Sequence, residues 1–232
     1  MLKAGDEEWL SKAHPGLAVA DRAIRGTIEF TASYDAGRQL FRVFDENVAA
    51  ETDRIVLAGK FTIRIEERSA KVFSALPALF VEEVEPVPDR HFGADKSACL
   101  CSPLEEDEFI NPEFQFQPFI EKLVVPFLFG ELFYTLYRRW PWQEYAHHAT
   151  GLLESYGRYG DPPKAKAFLQ TLTKFSDSWP AVRAALQQKG YIKGHMPCFC
   201  SKKDQIRRCH PQALRGIQQL RADIRELNIN VP

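Results

Sequence analysis

The sequence predicts an α+β protein, an antiparallel sheet early in the chain followed by a run of helices. Three observations carry this. Residues 24–34 alternate apolar or small with polar side chains, residues 55–65 do the same, and from about residue 114 onward apolar residues recur at helical spacing.

Taken in order, DEEWLSKAHPG at 6–16 is a short helix stopped by Pro15 and Gly16. The strand over 24–34 puts Ile24, Gly26, Ile28, Phe30, Ala32 and Tyr34 on one face and Arg25, Thr27, Glu29, Thr31 and Ser33 on the other. A turn at 35–37 leads to a second strand over 38–44. A third runs over 55–65 with Ile55, Leu57, Phe61, Ile63 and Ile65 inward, and a shorter extended segment covers 79–86. Short links imply an antiparallel four-stranded meander. From Val87 to Pro112 regular pattern is lost, and long irregular stretches tend to carry function.

Beyond Asn111-Pro112 helices are predicted over 114–139, with Pro126 and Gly130 kinking or splitting it, then over 142–157, 163–175, 179–189 and 211–227. The last sets Leu214, Ile217, Leu220, Ile224 and Leu227 on one stripe. The aromatic cluster from Phe127 to Trp142 is packing. His147 and His148 lack a further metal ligand and are read as a capped, core-facing histidine beside Trp140 and Trp142.

The 232 residues suffice for one large domain, or a domain with an appendage, and 45% hydrophobic content with 26% charged is that of an ordinary globular protein. A net charge of −1 argues against a wholesale nucleic-acid binder, leaving nucleic acid as the lesser alternative among partners. Locally the balance differs. Residues 189–225 carry Lys189, Lys193, Lys202, Lys203, Arg207, Arg208, Arg215, Arg221 and Arg225 against only Asp204 and Asp223, read as a solvated face. The charged N-terminus lacks the apolar core of a signal peptide, and LVVPFLFG at 123–130 is too short to span a bilayer, so no membrane partner is expected. Five cysteines, an odd number, suggest reduced thiols or metal ligands and a cytoplasmic setting.

The sharpest local pattern is PCFCSKKDQIRRCHP at 197–211. Cys198 and Cys200 are followed, after eight residues, by Cys209 and His210. Four such ligands within thirteen positions can surround one tetrahedral Zn²⁺ as a closed structural site with no open position. A segment this small has no core of its own, so the metal would supply its folding energy. The pattern resembles the SEC-C zinc knuckle, a docking module, with Cys198, Cys200, Cys209 and His210 at the ligand positions. Ser201, Lys202 and Lys203 replace the glycines usual after the second cysteine.

A second pair lies in HFGADKSACLCSP at 91–103, where Cys99 and Cys101 stand eight and ten positions after His91. A thiol in a loop near a histidine is the minimal arrangement for a nucleophile, and a half-buried cysteine acting as a small hydrophobe is the plainer reading. An N-terminal helix, alternating strands, Leu76-Pro77, an extended segment, then His91 and Cys99-Leu100 is an order that resembles the ubiquitin-conjugating-enzyme (UBC) fold, especially its prokaryotic branch, over residues 5–158. The Trp-Pro-Trp at 140–142 and the histidines with Gly151 at 147–151 are similar to elements of bacterial members. The pattern departs from eukaryotic members, where His-Pro-Asn supplies an oxyanion donor; here Phe92, Gly93 and Ala94 follow His91, so the donor must be a backbone N–H or another side chain. Eukaryotic spacing would select Cys101, whereas the bacterial spacing and the Cys-Leu pair select Cys99.

The resemblance implies a UBC-like domain over 1–158, a helical extension over 159–193, and the knuckle with its following helix over 194–232. It also implies an activity. Cys99 would accept a ubiquitin-like protein from its activating enzyme as a thioester and pass it to an amine such as a target lysine, in a setting of bacterial antiphage defence. His91 organises the loop by hydrogen bonding, and the acidic run Glu105, Glu106, Asp107 and Glu108 offers groups to orient the amine. The alternative is a non-catalytic adaptor whose inactive UBC-like domain and zinc knuckle dock protein or nucleic acid.

Overall fold

The computed structural model describes residues 2–3, 5–44, 54–68, 74–110 and 113–232. The chain is α+β and divides into two compact units, one of residues 1–101 and 106–143, the other of 102–105 and 144–232. The division falls at 143/144, earlier than the 158/159 suggested by the sequence. Moreover, 159–193 and 194–232 share one core instead of forming separate bodies.

In the first unit, helix α1 (Asp6–Ala13) carries acids in its first turn and Lys12 in its last, with Glu8 and Lys12 paired one turn apart at 2.7 Å. It buries Leu10 and ends at His14. The sheet is antiparallel throughout, with the path β1 (Leu17–Ala20), β2 (Ala23–Asp35), β4 (Ile55–Glu66), β5 (Ala78–Val81). This is four strands in chain order, but not the four expected. β1 has no counterpart in the sequence pattern, and β3 (Leu40–Phe44) pairs with β2 off this path instead of lying between β2 and β4. The length of β2 explains the difference. Its thirteen residues give β4 one whole edge, while β1 takes residues 23–26 and β3 takes 31–35 of the other.

Alternation decides what this sheet buries. Ile24, Ile28, Phe30, Ala32 and Tyr34 from β2, with Phe61, Ile63 and Ile65 from β4, form its core face. Helix α4 (Val125–Tyr137) packs on β4 and β2, burying Leu128 and Phe129 completely, and passes through Gly130 unbroken. Ahead of it, α3 (Phe116–Phe119) widens into a π-helical turn over Ile120–Val124. Pro126 accounts for this: it has no N–H to give, and its ring would strike the carbonyl four residues back in an α-turn.

The stretch 87–110, expected to be irregular, holds a 3-10 turn at Pro88–Arg90 and helix α2 (Pro103–Ile110). Ser102 and Glu105 cap α2 reciprocally: the Ser102 N–H donates to Glu105 Oε2 at 2.8 Å, and the Glu105 N–H to Ser102 Oγ at 3.4 Å. Asn111 and Pro112, marked by the sequence as a break, lie outside the described residues.

The second unit is helical: α5 (His148–Tyr159), α6 (Ala165–Leu172), α7 (Trp179–Gln187), α8 (Ile206–Cys209) and α9 (Pro211–Glu226). The main contact is between α5 and α9, which approach closely where Gly157 meets Gly216; a Cβ on Gly216 would run into the Leu153 carbonyl. Beside this crossing the buried Tyr156 hydroxyl donates to the buried Asp223 carboxylate at 2.8 Å. Burial, first, and this carboxylate, second, push the Tyr156 phenol well above its ordinary range. On the predicted α9 stripe Ile217, Leu220 and Ile224 are buried, Leu214 is half-buried and Leu227 is exposed. His147 and His148 are both exposed at the start of α5, with His148 edge-on to Phe175, so the expected core-facing histidine is not found.

Candidate functional site

The 91–103 loop is built from backbone pairing. His91 has left-handed backbone torsions, and its carbonyl accepts the Cys99 N–H at 2.7 Å. Phe92 and Ala98 pair as an isolated antiparallel bridge, the Gly93 N–H reaches the Ser97 carbonyl at 2.8 Å, and the Ala98 N–H reaches Leu79 of β5 at the same distance. Residues 92–98 are thus a closed miniature hairpin stapled to the sheet, with buried Phe92 and Ala98 as its feet.

Side chains lock it further. Arg68 donates to the Leu76 carbonyl at 3.2 Å, to Asp95 at 2.9 Å and to Ser97 Oγ at 2.9 Å. Asp95 also accepts from the Ser97 N–H and Oγ. Desolvation raises the Asp95 pKa, but the Ser97 hydrogen bonds and the Arg68 charge together hold it below the usual carboxylate range. The turn just before His91 is anchored too: Arg90 pairs with the fully buried Glu131 carboxylate of α4 and donates to Thr135 Oγ1 at 3.0 Å. The His91 ring packs edge-on against Trp140 at 5.1 Å between centroids.

On this frame the two thiols differ. Cys99 is exposed, whereas Cys101 is half-buried against the first core. The Cys99 thiol lies 3.9 Å from the Cys101 carbonyl. His91 joins the loop through its backbone carbonyl. The acidic run does not stand as a group: Glu105 caps α2, while Glu106 is buried and accepts the Ala75 N–H at 3.0 Å. Burial raises the Glu106 pKa, partly offset by its hydrogen bonds from Ser74 and Ala75. Sequence reasoning missed Arg68, Asp95, Ser97, Arg90 and Glu131. The Ser102/Glu105 spacing with Pro103 at the first helical position was the one available sign of order in this stretch.

The 197–211 segment brings its four residues together. Pro197 and Gln205 form an isolated antiparallel bridge, the Cys198 N–H donates to the Asp204 carbonyl at 2.7 Å, and the Ile206 N–H to Met196 at 3.0 Å. Lys203 turns the ribbon with left-handed torsions (φ 52°), in the tract where the SEC-C pattern has glycines. Cys209 ends α8, and His210 is the residue before α9.

Cys198 Sγ lies 3.2 Å from His210 Nδ1, Cys200 Sγ lies 3.5 Å from Cys209 Sγ, and all four ligand atoms fall within 4.8 Å of one another. Zinc bonds of about 2.3 Å to sulfur and about 2.0 Å to nitrogen set tetrahedral corners roughly 3.5–3.8 Å apart, so the donor set could hold such an ion. This is the one group of its kind found among the described residues. Burial pushes the Cys198 thiol up to about 12, so metal binding would have to displace its proton. The knuckle has more core than the sequence implied: Cys198, Phe199 and Ile206 are buried in the second hydrophobic core with Leu153, Ile217 and Leu220.

No family model, curated protein or solved structure matches the chain. Among the described residues no helix is long and apolar enough to cross a membrane.

Proposed function

We propose that the protein is a cytoplasmic conjugating enzyme for a ubiquitin-like protein, with Cys99 as its thioester-forming nucleophile. The observation that carries this reading is the exposed Cys99 thiol on a loop held rigidly from several sides. The chain order supports it: a helix, four strands in sequential antiparallel path, the cysteine loop, then a helix, as in the prokaryotic branch of the UBC family. On this reading β3 is an added hairpin arm.

The chemistry is two acyl transfers. The Cys99 thiolate attacks the thioester carbonyl carbon of the ubiquitin-like protein on its activating enzyme; a new C–S bond forms and the activating enzyme's thiolate leaves. A lysine amine of the target then attacks the same carbonyl, a C–N bond forms, the Cys99 thiolate departs, and the amine's proton passes to solvent or base. The N–H groups of Phe92, Gly93, Ala98 and Cys99 are already engaged by backbone carbonyls, so the oxyanion would be met by a different backbone N–H or by another side chain. Cys198, Cys200, Cys209 and His210 would hold a structural Zn²⁺ as a SEC-C-type knuckle. That ion would fix the ribbon and supply no chemistry to the transfer.

The test is a charging assay of the zinc-loaded chain with an activating enzyme, a ubiquitin-like protein and ATP from a bacterial antiphage-defence operon. The expected result is an adduct that a reducing agent removes, that Cys99→Ala abolishes and that Cys101→Ala retains. Loss with Cys101→Ala alone would move the nucleophile to Cys101. No adduct would leave the adaptor, the reading favoured by the missing His-Pro-Asn asparagine.

A further inference from the structure

The second unit carries a surface that neither the cysteine chemistry nor the ligand set accounts for. Seven cationic residues stand between 189 and 215 (Lys189, Lys193, Lys202, Lys203, Arg207, Arg208 and Arg215), all exposed, with Asp204 the one acid in that span. No ion pair among the described residues involves any of the seven. A Zn²⁺ with three thiolates sums to one negative charge, so even a loaded knuckle leaves a clear positive surplus.

The fold brings Lys193, Lys202, Lys203 and Arg207 to one ribbon, with Lys189 ahead of it in the chain and Arg208 and Arg215 on α8 and α9. The Arg207 N–H donates to the Gly194 carbonyl at 3.0 Å, and Gly194 leaves room for the Arg207 stem, which passes 2.8 Å from where a Cβ would stand. Lys193 and His195 stand on either side of Gly194, the residue paired with Arg207, while Lys202 and Lys203 lie in the turn at the ribbon's far end.

At the ribbon's base Tyr191 is 90% exposed, although the backbone around it is pinned. The buried Arg221 donates to the Gln188 carbonyl at 2.7 Å, the Gln188 side chain donates to the Tyr191 carbonyl at 3.2 Å, and the Gln218 side chain donates to the Ile192 carbonyl at 3.0 Å. Ile192 is buried, and Gly190 makes the turn with a φ of +76°. A tyrosine ring held out into solvent on a fixed turn, with a lysine two positions to either side, has no packing role. It has the form of a stacking platform beside a phosphate-binding track.

From this we propose that the knuckle ribbon and Tyr191 bind single-stranded nucleic acid, the cations tracking phosphates and the Tyr191 ring stacking on a base. Bases distinguish this occupant from an acidic protein segment, which would use the charges and ignore the ring. The inference is independent of thioester chemistry at Cys99.

The experiment is fluorescence anisotropy on the full zinc-loaded chain with labelled single-stranded dT20 and U20 across a salt series, with polyglutamate as competitor. The expected result is binding to one or both oligonucleotides that weakens steeply with salt. Tyr191→Ala should lose about five- to a hundredfold in affinity and Tyr191→Phe should retain it. Lys202→Ala with Lys203→Ala should flatten the salt dependence by about 0.7 in log–log slope for each phosphate no longer neutralised. Because Tyr191 is exposed, its substitution leaves the fold intact. Absence of binding, an unchanged affinity in Tyr191→Ala, or displacement by polyglutamate at equal charge concentration would each overturn the proposal.

Discussion

Two Cys-x-Cys pairs with identical spacing, Cys99-Leu100-Cys101 and Cys198-Phe199-Cys200, end in opposite circumstances. In the first, the leading cysteine is exposed and the second is half-buried against the sheet's core. In the second, Cys198 and Phe199 are buried and Cys200 turns toward Cys209 and His210. The pair itself does not set the outcome. A ribbon that folds back supplies the second half of a Cys/His group that could hold a metal ion at 197–211, whereas at 91–103 the backbone pairs upstream with His91 and Leu79 and gathers no such group among the described residues.

The strongest way to break this comparison is to remove the metal. If the knuckle is loaded and shares the helical core, chelation should destabilise the second unit by about 4 kcal/mol for a site filled at a thousandfold over its dissociation constant. Hydrogen exchange should then speed up in α5 and α9 and stay unchanged in β2 and β4. Equal acceleration in both units would show that the contrast between the sites is not local.

Next in size is Arg90→Ala, which takes the guanidinium from the buried Glu131 carboxylate at the root of the cysteine loop. The expected cost is about 3 kcal/mol in chemical denaturation. A loss under about 1 kcal/mol would mean that the turn before His91 is not anchored through this pair.

Mass-mapped alkylation of the zinc-loaded chain should modify Cys99 first, Cys101 more slowly and the knuckle thiols last, since exposure and coordination both govern reaction. Chelation should abolish the protection of the knuckle and leave the order of Cys99 and Cys101 unchanged.

A smaller effect should come from Lys203→Gly, which relieves left-handed torsions on a residue with a Cβ and should stabilise the second unit by about 1 kcal/mol. The smallest concerns Asp95, whose pKa is lowered in the folded loop. A depressed carboxylate gives its stabilisation above the unfolded value of about 3.9 and loses it as pH falls through the folded value. The Ser97 amide resonance should therefore shift with a midpoint below the ordinary aspartate value, and that shift should vanish in Asp95→Asn.

These residues also show what a sequence can disclose. Strands 24–34 and 55–65, the α9 stripe and the ligand spacing were legible because each repeats a period or a fixed interval within a short stretch. β1 was not, because only Leu17 of its four residues is buried and no period forms. The place of β3 was hidden because alternation marks a strand's faces and says nothing of its neighbours. Arg68, Asp95 and Ser97 were invisible for a related reason: the guanidinium lies 27 and 29 positions from its partners, and no local pattern encodes that meeting. The exposed His147 and His148 mark the converse error, since their aromatic neighbours in sequence do not bury them in space.

Arg68 has one more consequence. A single guanidinium serves the Leu76 carbonyl, Asp95 and Ser97 together, so one side chain ties the loop to the segment that leads into β5. Displacing Arg68 removes one partner from all three at once, while Asp95 keeps the Ser97 N–H and Oγ. The Cys99–His91, Gly93–Ser97 and Ala98–Leu79 backbone bonds would stay in place, so loss of Arg68 strips a side-chain cover from the loop that carries Cys99 and leaves its ladder standing.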